Sequence, residues 1–368
     1  MMKITALKDN LLMGVSAVQK AVSTKNTLPI LTCIKIEAKN NMLYFFGTDL
    51  EMGIQIHVPA EVIFEGVTVV PARHFIEIVR KLPSSLITLH LASENELSIQ
   101  YENSQLTLRT LSSADFPALP EVSGDYEVHI QASLFKQMIK QTAFSAGTDE
   151  GRPLFTGILF ETENDKIRMI ATDTHRLALR QGVPKSQPES PQSFIIPAKM
   201  LSEIARLIYD EEEICRLSLT KNVCVFTISN IVVICRLLDG QFPNYRQVIP
   251  NQYKSKLEVK TKSILEAVER ISLFTIGSDN SNTIQLSIND TIMTISSQSE
   301  LGQGYEQLPV ENEGEAVIIS FNARYLLDAF KTIEAEKVVI EFTGPLSPCI
   351  MRPGETENLF YLILPVRT

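Results

Sequence analysis

The sequence contains none of the short motifs with which many enzymes hold a nucleotide or a metal ion. Its 368 residues include no P-loop, no G-x-G-x-x-G turn, no H-E-x-x-H pair and no C-x-x-C pair. The five cysteines and five histidines are scattered along the chain. Widely spaced cysteines in odd number are typical of reduced, mostly buried thiols in a cytoplasmic protein. We therefore expect no metal site and no cofactor.

Long apolar segments are also absent. No run approaches the ~18 consecutive apolar residues of a membrane-spanning helix. The first residues, MMKITALKDNLLMGV, lack the apolar core and the cleavage site of a signal peptide. Acidic residues outnumber basic ones, and the formal net charge of −9 argues against non-specific wrapping around nucleic acid. The composition favours a globular cytoplasmic protein in which any basic surface is local.

What the sequence does contain is internal repetition. Residues 28–56 match residues 152–180, and Pro29 recurs as Pro153, 124 positions later. A weaker third copy follows at a similar spacing. Repetition at a fixed period indicates that one structural design is used several times along the chain.

Two kinds of helical segment accompany each repeat. The first kind shares an aligned alanine and comprises residues 70–82, 196–208 and 320–332. The second kind has apolar residues at helical spacing and comprises residues 7–22, 131–144 and 260–274. Alternating runs such as KIRMIATDTHRLALR lie between them and predict antiparallel strands with one buried face. We predict an α+β fold of three repeated domains, each with two helices packed on antiparallel sheets, over residues 1–122, 127–249 and 250–368.

One stretch suggests acid–base catalysis, because Asp173 stands two positions before His175. The matching stretch of the first repeat reads TDLEM, with Glu51 where His175 stands. A general acid–base pair also needs a nucleophile or a third group nearby. Since the stretch is one copy of a repeated strand, we interpret its Thr-Asp pair as shaping a strand bend. We predict no catalytic residue.

Two other classes of protein compete with this interpretation. A β-rich scaffold or ligand-binding protein would also use repeats. A monomeric DNA-binding protein would have a basic isoelectric point, whereas the value here is about 5.3. Neither class predicts cations that recur at matching positions of three helices.

Nine short motifs occur in one order across nearly the whole chain: TLPIL (27–31), GTDLEM (47–52), ADFP (114–117), RPLFTG (152–157), ATDTHRLAL (171–179), DGQFPNYRQVIP (239–250), FNARYLLDA (321–329), GPLSPCIMRP (344–353) and LPVR (364–367). In these motifs the chain resembles the bacterial sliding clamp, the beta subunit of DNA polymerase III. The resemblance implies a non-catalytic processivity factor that closes as a head-to-tail homodimeric ring around duplex DNA of any sequence. It also implies partners, namely the replicative polymerase, a clamp loader and other replication and repair proteins that carry a short clamp-binding motif.

The resemblance implies a basic lining of the ring. The repeated helix carries cations at two matching positions, seven residues or about two helical turns apart: Arg73, Lys199 and Arg324, then Arg80, Arg206 and Lys331. Further DNA-facing positions are Lys25, Lys136, Lys140 and Arg152. Such cations would contact phosphates without reading bases. The alternative is that an acid four residues after the first cation pairs along each helix and leaves a self-neutralised, solvated face: Glu77, Glu203 and Asp328.

The resemblance also implies a groove between the second and third domains that binds the partner motif. The matching positions are Phe155, Thr172, His175, Arg176, Leu177, Pro243, Val248, Asn322, Tyr325, Leu346, Leu362, Ile363, Leu364, Pro365, Val366 and Arg367. Apolar walls suit an aromatic anchor, and a few polar groups suit a glutamine. Ordinary core packing is the alternative for each apolar residue.

Three departures from the family pattern bear on these sites. The family often ends in Met-Pro-Met-Arg-Leu, whereas this chain has Leu364, Val366 and Thr368 at the variable places. Thr174 replaces a common glycine. Pro153 and Leu154 stand where some relatives carry tyrosines. We expect the groove to persist and its partner preference to differ.

The resemblance places two apolar pairs at the subunit interface. Leu106 and Leu108 would meet Leu273 and Phe274 of the other subunit, with core packing as the alternative. Arg109 could form a rim pair with Glu300 or Glu306. Two such interfaces would close a ring.

Overall fold

The computed structural model describes residues 2–23, 28–93, 95–118, 126–163, 165–186, 190–220, 222–275, 282–300, 302–354, 356 and 358–367. Within them the chain forms six α-helices: α1 (Lys8–Val18), α2 (Ala72–Lys81), α3 (Ala132–Thr142), α4 (Ala198–Leu207), α5 (Thr261–Ser272) and α6 (Ala323–Phe330). Each helix lies inside one of the six segments that the sequence predicts as helical, so that prediction is confirmed.

Strands form most of the remaining described chain. They are β1 (Met2–Leu7), β2 (Cys33–Lys39), β3 (Met42–Thr48), β4 (Met52–Pro59), β5 (Glu61–Phe64), β6 (Gly66–Pro71), β7 (Leu86–Ser93), β8 (Glu96–Tyr101), β9 (Ser104–Arg109), β10 (Tyr126–Gln131), β11 (Gly157–Glu163), β12 (Lys166–Thr172), β13 (Arg176–Gly182), β14 (Gln192–Pro197), β15 (Ile214–Leu219), β16 (Val223–Ile228), β17 (Ile231–Arg236), β18 (Ser255–Lys260), β19 (Thr283–Asn289), β20 (Ile292–Ser299), β21 (Gly302–Pro309), β22 (Glu311–Gly314), β23 (Val317–Asn322), β24 (Lys337–Phe342), β25 (Cys349–Pro353) and β26 (Leu359–Ile363).

The chain divides into two compact units. The first unit comprises residues 1–133, 185–189 and 203–237, and the second comprises residues 134–184, 190–202 and 238–368. The first unit holds the sheets β5-β1-β7-β8-β9 and β10-β15-β16-β17-β4-β3-β2-β6. The second unit holds the sheets β14-β11-β12-β13-β26-β25-β24-β18-β22 and β21-β20-β19-β23. Neighbouring strands run antiparallel, as predicted.

The alanines that the repeats share mark the junctions between strand and helix. Ala72, Ala198 and Ala323 are the first residues of α2, α4 and α6, and each follows directly on a strand. Asn322 caps α6, because its side-chain oxygen accepts a hydrogen bond from the backbone N–H of Arg324 at 2.9 Å. The cap fixes the direction in which α6 leaves β23.

The Thr-Asp pair shapes a strand bend, as the sequence predicts. Oδ1 of Asp173 accepts hydrogen bonds from the backbone N–H groups of His175 and Arg176, both at 3.0 Å. The hydroxyl of Thr172 donates to the carbonyl of Arg176 at 2.7 Å. The copy of this pair at Thr48-Asp49 makes the corresponding bonds between β3 and β4. Side chains thus satisfy the backbone where the strand reverses.

The largest sheets of the two units share one register. In the second unit Leu177 of β13 pairs with Leu362 of β26. In the first unit Gly53 of β4, which stands 124 positions before Leu177, pairs with Ile234 of β17. The repeat in the sequence is therefore a repeat of strand pairing.

Two apolar clusters lie on opposite faces of the nine-stranded sheet. The main core of the second unit packs α5 and α6 on one face, with Ile264, Leu326 and Phe342 fully or almost fully buried. The other face carries a smaller cluster, which we call the outer cluster: Leu159, Ile170, Leu177, Leu179, Ile195, Phe242, Tyr245, Ile350, Phe360 and Leu362. Alternation along each strand sends neighbouring side chains to these two faces.

Candidate functional site

All of the predicted groove residues lie in the second unit. The C-terminal segment is tied to the Thr-Asp bend, because the backbone N–H of Leu364 donates to the carbonyl of His175 at 2.9 Å. The backbone N–H of Val366 donates to the carbonyl of Ser320 at 2.8 Å, beside the start of α6. These bonds bring together the beginning of β13, the end of β26 and the beginning of α6.

The outer cluster forms an apolar floor at this place. Leu177 and Leu362 pair across β13 and β26 and are 3% and 4% exposed. Pro243 and Val248 are exposed and flank Phe242 and Tyr245, which join the same cluster. Ile363 points to the opposite face and belongs to the main core, so its side chain lines no surface.

Three large apolar side chains among the predicted groove residues are exposed to solvent. Leu346 is 69% exposed, Val248 is 52% exposed and Leu364 is 36% exposed. Pro365 and Val366 are half-buried, and Arg367 is exposed. Exposed apolar groups beside a buried apolar floor are typical of a surface that binds another molecule.

The polar residues of the predicted groove have different surroundings. The ring of His175 is exposed and stacks on Tyr325, with 6.4 Å between the ring centroids. Asn322 is half-buried, and its side-chain oxygen caps α6. Phe155 lies in a 3-10 turn over Pro153–Thr156, with the guanidinium of Arg152 at 5.8 Å from its ring centroid.

Arg176 is a buried anchor. Its side chain is 9% exposed, Nε donates to Oδ2 of Asp173 at 2.9 Å, and Nη2 donates to the carbonyl of Phe144 at 2.6 Å. The guanidinium also lies 4.5 Å from the ring centroid of Tyr325. Both carboxylate oxygens of Asp173 are thus engaged with Arg176 and with backbone N–H groups. This geometry gives Asp173 a structural role and leaves His175 paired with an aromatic ring.

Thr174 adopts a backbone conformation that favours glycine. Its φ angle is +79°, and the matching residue of the first repeat, Leu50, has a φ angle of +77°. A side chain in this left-handed region is strained, which explains why a glycine suits the position. The bonds of the Thr-Asp pair hold the turn despite this strain. Thr368 lies outside the described residues.

The predicted DNA-facing cations are mostly on exposed helical faces. Arg73, Lys199, Arg324 and Lys331 are exposed. Among the residues that the structure describes, neither Arg73 nor Lys199 forms an ion pair. The alternative of pairing along the helix holds in part. In α2 and α4 the acid pairs with the second cation, so that Glu77 and Arg80 lie 2.9 Å apart.

The remaining pairs of this set lie within α4, within α6, and between Lys331 and α5. Glu203 pairs with Arg206 in α4. Arg324 lies 4.0 Å from Asp328 in α6, and Lys331 lies 3.3 Å from Glu269.

The other predicted cations lie outside this repeated helix. Nζ of Lys140 is 3.1 Å from Glu334, and Nε of Arg152 is 3.1 Å from Asp149. Lys136 is half-buried on α3. Lys25 lies outside the described residues.

The predicted interface residues lie at two sheet edges. Leu106 and Leu108 belong to β9, which ends the five-stranded sheet of the first unit, and Leu106 is 38% exposed. Leu273 is 63% exposed in a 3-10 turn over Leu273–Thr275 of the second unit. Phe274 is half-buried against β21, the edge strand of the four-stranded sheet. Edge strands present unpaired backbone groups to which another chain can add.

The proposed rim pair has a competitor within the second unit. Both carboxylate oxygens of Glu306 accept hydrogen bonds from Arg270, at 2.7 and 2.8 Å. These bonds hold the pKa of Glu306 below its usual value. Arg109 is exposed at the end of β9.

Three family models match the chain in succession. Residues 2–120 match the N-terminal domain of the DNA polymerase III beta subunit, residues 129–244 match its central domain, and residues 246–367 match its C-terminal domain. The chain belongs to this family. Its members are sliding clamps, which are processivity factors without catalytic activity, and the chain has the role of a DNA sliding clamp.

Relatives of this beta subunit match along their whole length. The beta sliding clamps of Bacillus subtilis and Staphylococcus aureus are each 34% identical over 378 aligned residues, which cover 100% of this chain and 100% of theirs. The crystal structure of the Bacillus subtilis clamp has a TM-score of 0.97 at 34% identity and covers 100% of this chain and 99% of its own. A Pseudomonas aeruginosa clamp bound to griselimycin has a TM-score of 0.94 at 26% identity, with 100% of both chains covered.

The structure adds residues to the predicted groove that the sequence did not indicate. The sequence indicates Asp328 only as a helical partner of Arg324, yet it also binds Arg176. Phe144 and Ser320 act through backbone carbonyls, which leave no signal in a side-chain pattern. One signal for the role of Arg176 was available in the sequence. Arg176 stands at the end of the bend that the repeated Thr-Asp pair forms.

Proposed function

We propose that this sliding clamp closes as a head-to-tail homodimer around duplex DNA and docks partner proteins through the groove of its second unit. We also propose that its three domains span residues 1–122, 127–249 and 250–368, and that it acts in the cytoplasm. Family membership supports DNA and a polymerase as partners. Two observations carry the docking proposal: the buried Leu177–Leu362 floor, and the exposed apolar side chains among the other predicted groove residues.

The chemistry of the groove suits a short motif with an apolar end and a glutamine. An aromatic or leucine side chain placed over the floor would cover exposed Leu346, Val248 and Leu364, and so remove their apolar surface from water. The imidazole of His175 and the backbone around the bend offer polar partners at the rim. The Pseudomonas aeruginosa clamp bound to griselimycin is consistent with a ligand-binding site on this fold.

The proposed DNA surface consists of exposed cations that form weak contacts. Ion pairs at exposed positions contribute only about 0–1 kcal/mol, so phosphate oxygens can replace the acids that now accompany Arg80 and Arg206. Arg73 and Lys199 would contact phosphates directly. Contacts of this kind read no bases and let the ring move along the duplex. The acidic total charge leaves the exterior repulsive to DNA.

The proposed subunit interface joins β9 of one subunit to β21 of the other. Leu106 and Leu273 are exposed apolar side chains beside these edge strands. Pairing would bury them and would satisfy the free backbone groups of both edges. The same contact made twice closes the ring, because head-to-tail association returns on itself after two subunits.

Light scattering during size-exclusion chromatography tests the dimer. We expect the wild type to have a mass near twice 41.2 kDa. We expect the double variant Leu273→Ala/Phe274→Ala to approach the monomer mass, while Leu346→Ala serves as a matched control and stays dimeric. A wild type that is monomeric at micromolar concentration, or a double variant that remains dimeric, would contradict the proposed interface.

A further inference from the structure

The first unit carries a cleft at the positions that correspond to the docking groove. The cleft has a volume of about 300 Å³ and lies on the eight-stranded sheet. Six of its lining residues have counterparts in the predicted groove: Thr48, Glu51, Gly53, Pro117, Ile234 and Arg236. In repeat position and strand register these correspond to Thr172, His175, Leu177, Pro243, Leu362 and Leu364.

The cleft is open because small or polar residues replace leucines of the outer cluster. Gly53 stands where the second unit has Leu177, and Lys35 stands where it has Leu159. The corresponding apolar cluster of the first unit is accordingly small and contains Cys33, Phe46, Val69 and Phe116. The missing side chains leave a space over Gly53.

A second cleft continues the first across the sheet. It has a volume of about 190 Å³, shares Phe46, Pro117 and Ala118 with the first cleft, and reaches Lys35 on β2. Lys35 and Arg236 mark the two ends of the combined groove. Strand spacing of about 4.8 Å and a rise of about 3.3 Å per residue put these two Cα positions roughly 20 Å apart, which an extended peptide spans in about six residues.

The charges at the ends favour an acidic occupant. Arg236 is exposed at one end and Lys35 is half-buried at the other, and neither side chain forms an ion pair with another described residue. Glu37, beside Lys35, is neutralised by Lys39 at 2.8 Å. With the Lys39–Glu37 pair counted as neutral, the two cations Lys35 and Arg236 outweigh Glu51, the remaining acid of the lining, and the groove keeps a positive balance.

We propose that this groove is a second docking site, which binds an extended segment of a partner protein with an apolar side chain over Gly53 and an acidic residue near each end. Counted with the same strand spacings, Gly53 lies about 8 Å from Arg236 and about 12 Å from Lys35. The fitting pattern is therefore an acid, one spacer, an apolar residue, two spacers and an acid. The site is separate from the groove around Leu177 and does not depend on the proposal made for it.

Fluorescence anisotropy with the full-length protein and a labelled hexapeptide, DSLSSD, tests the proposal. We expect saturable binding with a Kd of about 100 μM or tighter. Gly53→Leu introduces the residue that stands at the matching position of the second unit, Leu177. By filling the cleft, it should weaken binding at least about tenfold. Arg236→Glu should weaken it about fivefold by adding repulsion, and a KSLSSK peptide should bind about tenfold more weakly.

Leu346→Asp is the matched control, because it alters the groove of the second unit alone. It should leave the affinity for DSLSSD unchanged, and circular dichroism melts should show that all variants fold. Arg236→Glu keeps the test valid if Gly53→Leu is unstable, since Arg236 is exposed. The proposal is overturned if the wild type shows no saturable binding up to about 1 mM, or if Gly53→Leu and Arg236→Glu bind as tightly as the wild type. It is also overturned if Leu346→Asp abolishes binding, which would assign the peptide to the other groove.

Discussion

The guanidinium of Arg176 donates from Nη1 to Oδ2 of Asp328 at 2.7 Å, and this bond joins β13 to α6. The same carboxylate oxygen lies 4.0 Å from Nε of Arg324, whose side chain is 77% exposed. One acid thus has a buried partner and an exposed partner. The buried partner stabilises the wall of the proposed docking groove, because it also binds the Thr-Asp bend.

Replacing the buried partner should cost far more stability than replacing the exposed one. Arg176→Ala leaves Asp328 and Asp173 without their shared cation, and we expect it to lower the free energy of unfolding by about 3–5 kcal/mol. Arg324→Ala is the matched control and should cost less than about 1 kcal/mol. Urea unfolding followed by circular dichroism measures both. Equal losses for the two variants would contradict the role assigned to Arg176.

Substitutions around the groove should separate partner binding from stability. Leu346→Ala and Leu364→Ala remove exposed apolar surface, so they should lower the affinity for a partner peptide that ends in leucine and phenylalanine. They should change the free energy of unfolding by less than about 0.5 kcal/mol. Ile363→Ala instead leaves a cavity in the main core and should cost about 2–5 kcal/mol. Isothermal calorimetry and thermal melts provide the two readouts. Peptide affinity that is unchanged in Leu346→Ala and Leu364→Ala would count against the groove.

Charge reversal on the helices should reduce the salt dependence of DNA binding. Each phosphate contact contributes about 0.9 to the slope of log K against log salt. The double variant Arg73→Glu/Lys199→Glu should therefore lose affinity for duplex DNA and lower this slope by up to about 2. The control is Lys166→Glu, which reverses one charge at an exposed position of β12. If the control has the same effect per charge, the cations of α2 and α4 have no specific role.

The thiols should be unreactive in the folded protein. All five cysteines are buried, and burial raises the pKa of Cys349 to about 12 and that of Cys224 well above its ordinary value. A raised pKa favours the neutral thiol in the folded state. The contribution of these thiols to the free energy of unfolding is therefore present below about pH 9 and is lost as the pH rises through the pKa of the folded state. Ellman's reagent at pH 8 should react slowly with the native protein. After unfolding in guanidinium, it should react with all five thiols. Rapid reaction of the native thiols would contradict this burial.

Much of the fold was predictable because the repeats made local signals reinforce one another. The aligned alanines identified Ala72, Ala198 and Ala323 as common positions, and each is the first residue of a helix. Alternation identified the strands around the Thr-Asp pair, and side-chain bonds of Thr172 and Asp173 explain the bend. These features depend on residues close in sequence.

The details of the site depend on residues far apart in sequence, which periodicity does not relate. Asp328 binds Arg176 across 152 positions, and the sequence offered only its helical neighbour Arg324 as a partner. The family resemblance places both Leu362 and Ile363 in the groove, but the alternation of a strand sends Leu362 to the outer cluster and Ile363 to the main core. The strand pairing that decides this outcome is a property of the folded sheet.

Retention on DNA tests the central claim most directly. The protein would be loaded by a clamp loader onto a nicked circular plasmid, passed over a gel-filtration column, and compared with a sample linearised after loading. A closed ring should stay on the circular DNA and leave the linear DNA through its ends, so the bound fraction should fall sharply after linearisation. Equal retention on circular and linear DNA would show ordinary binding to the duplex and would contradict the ring.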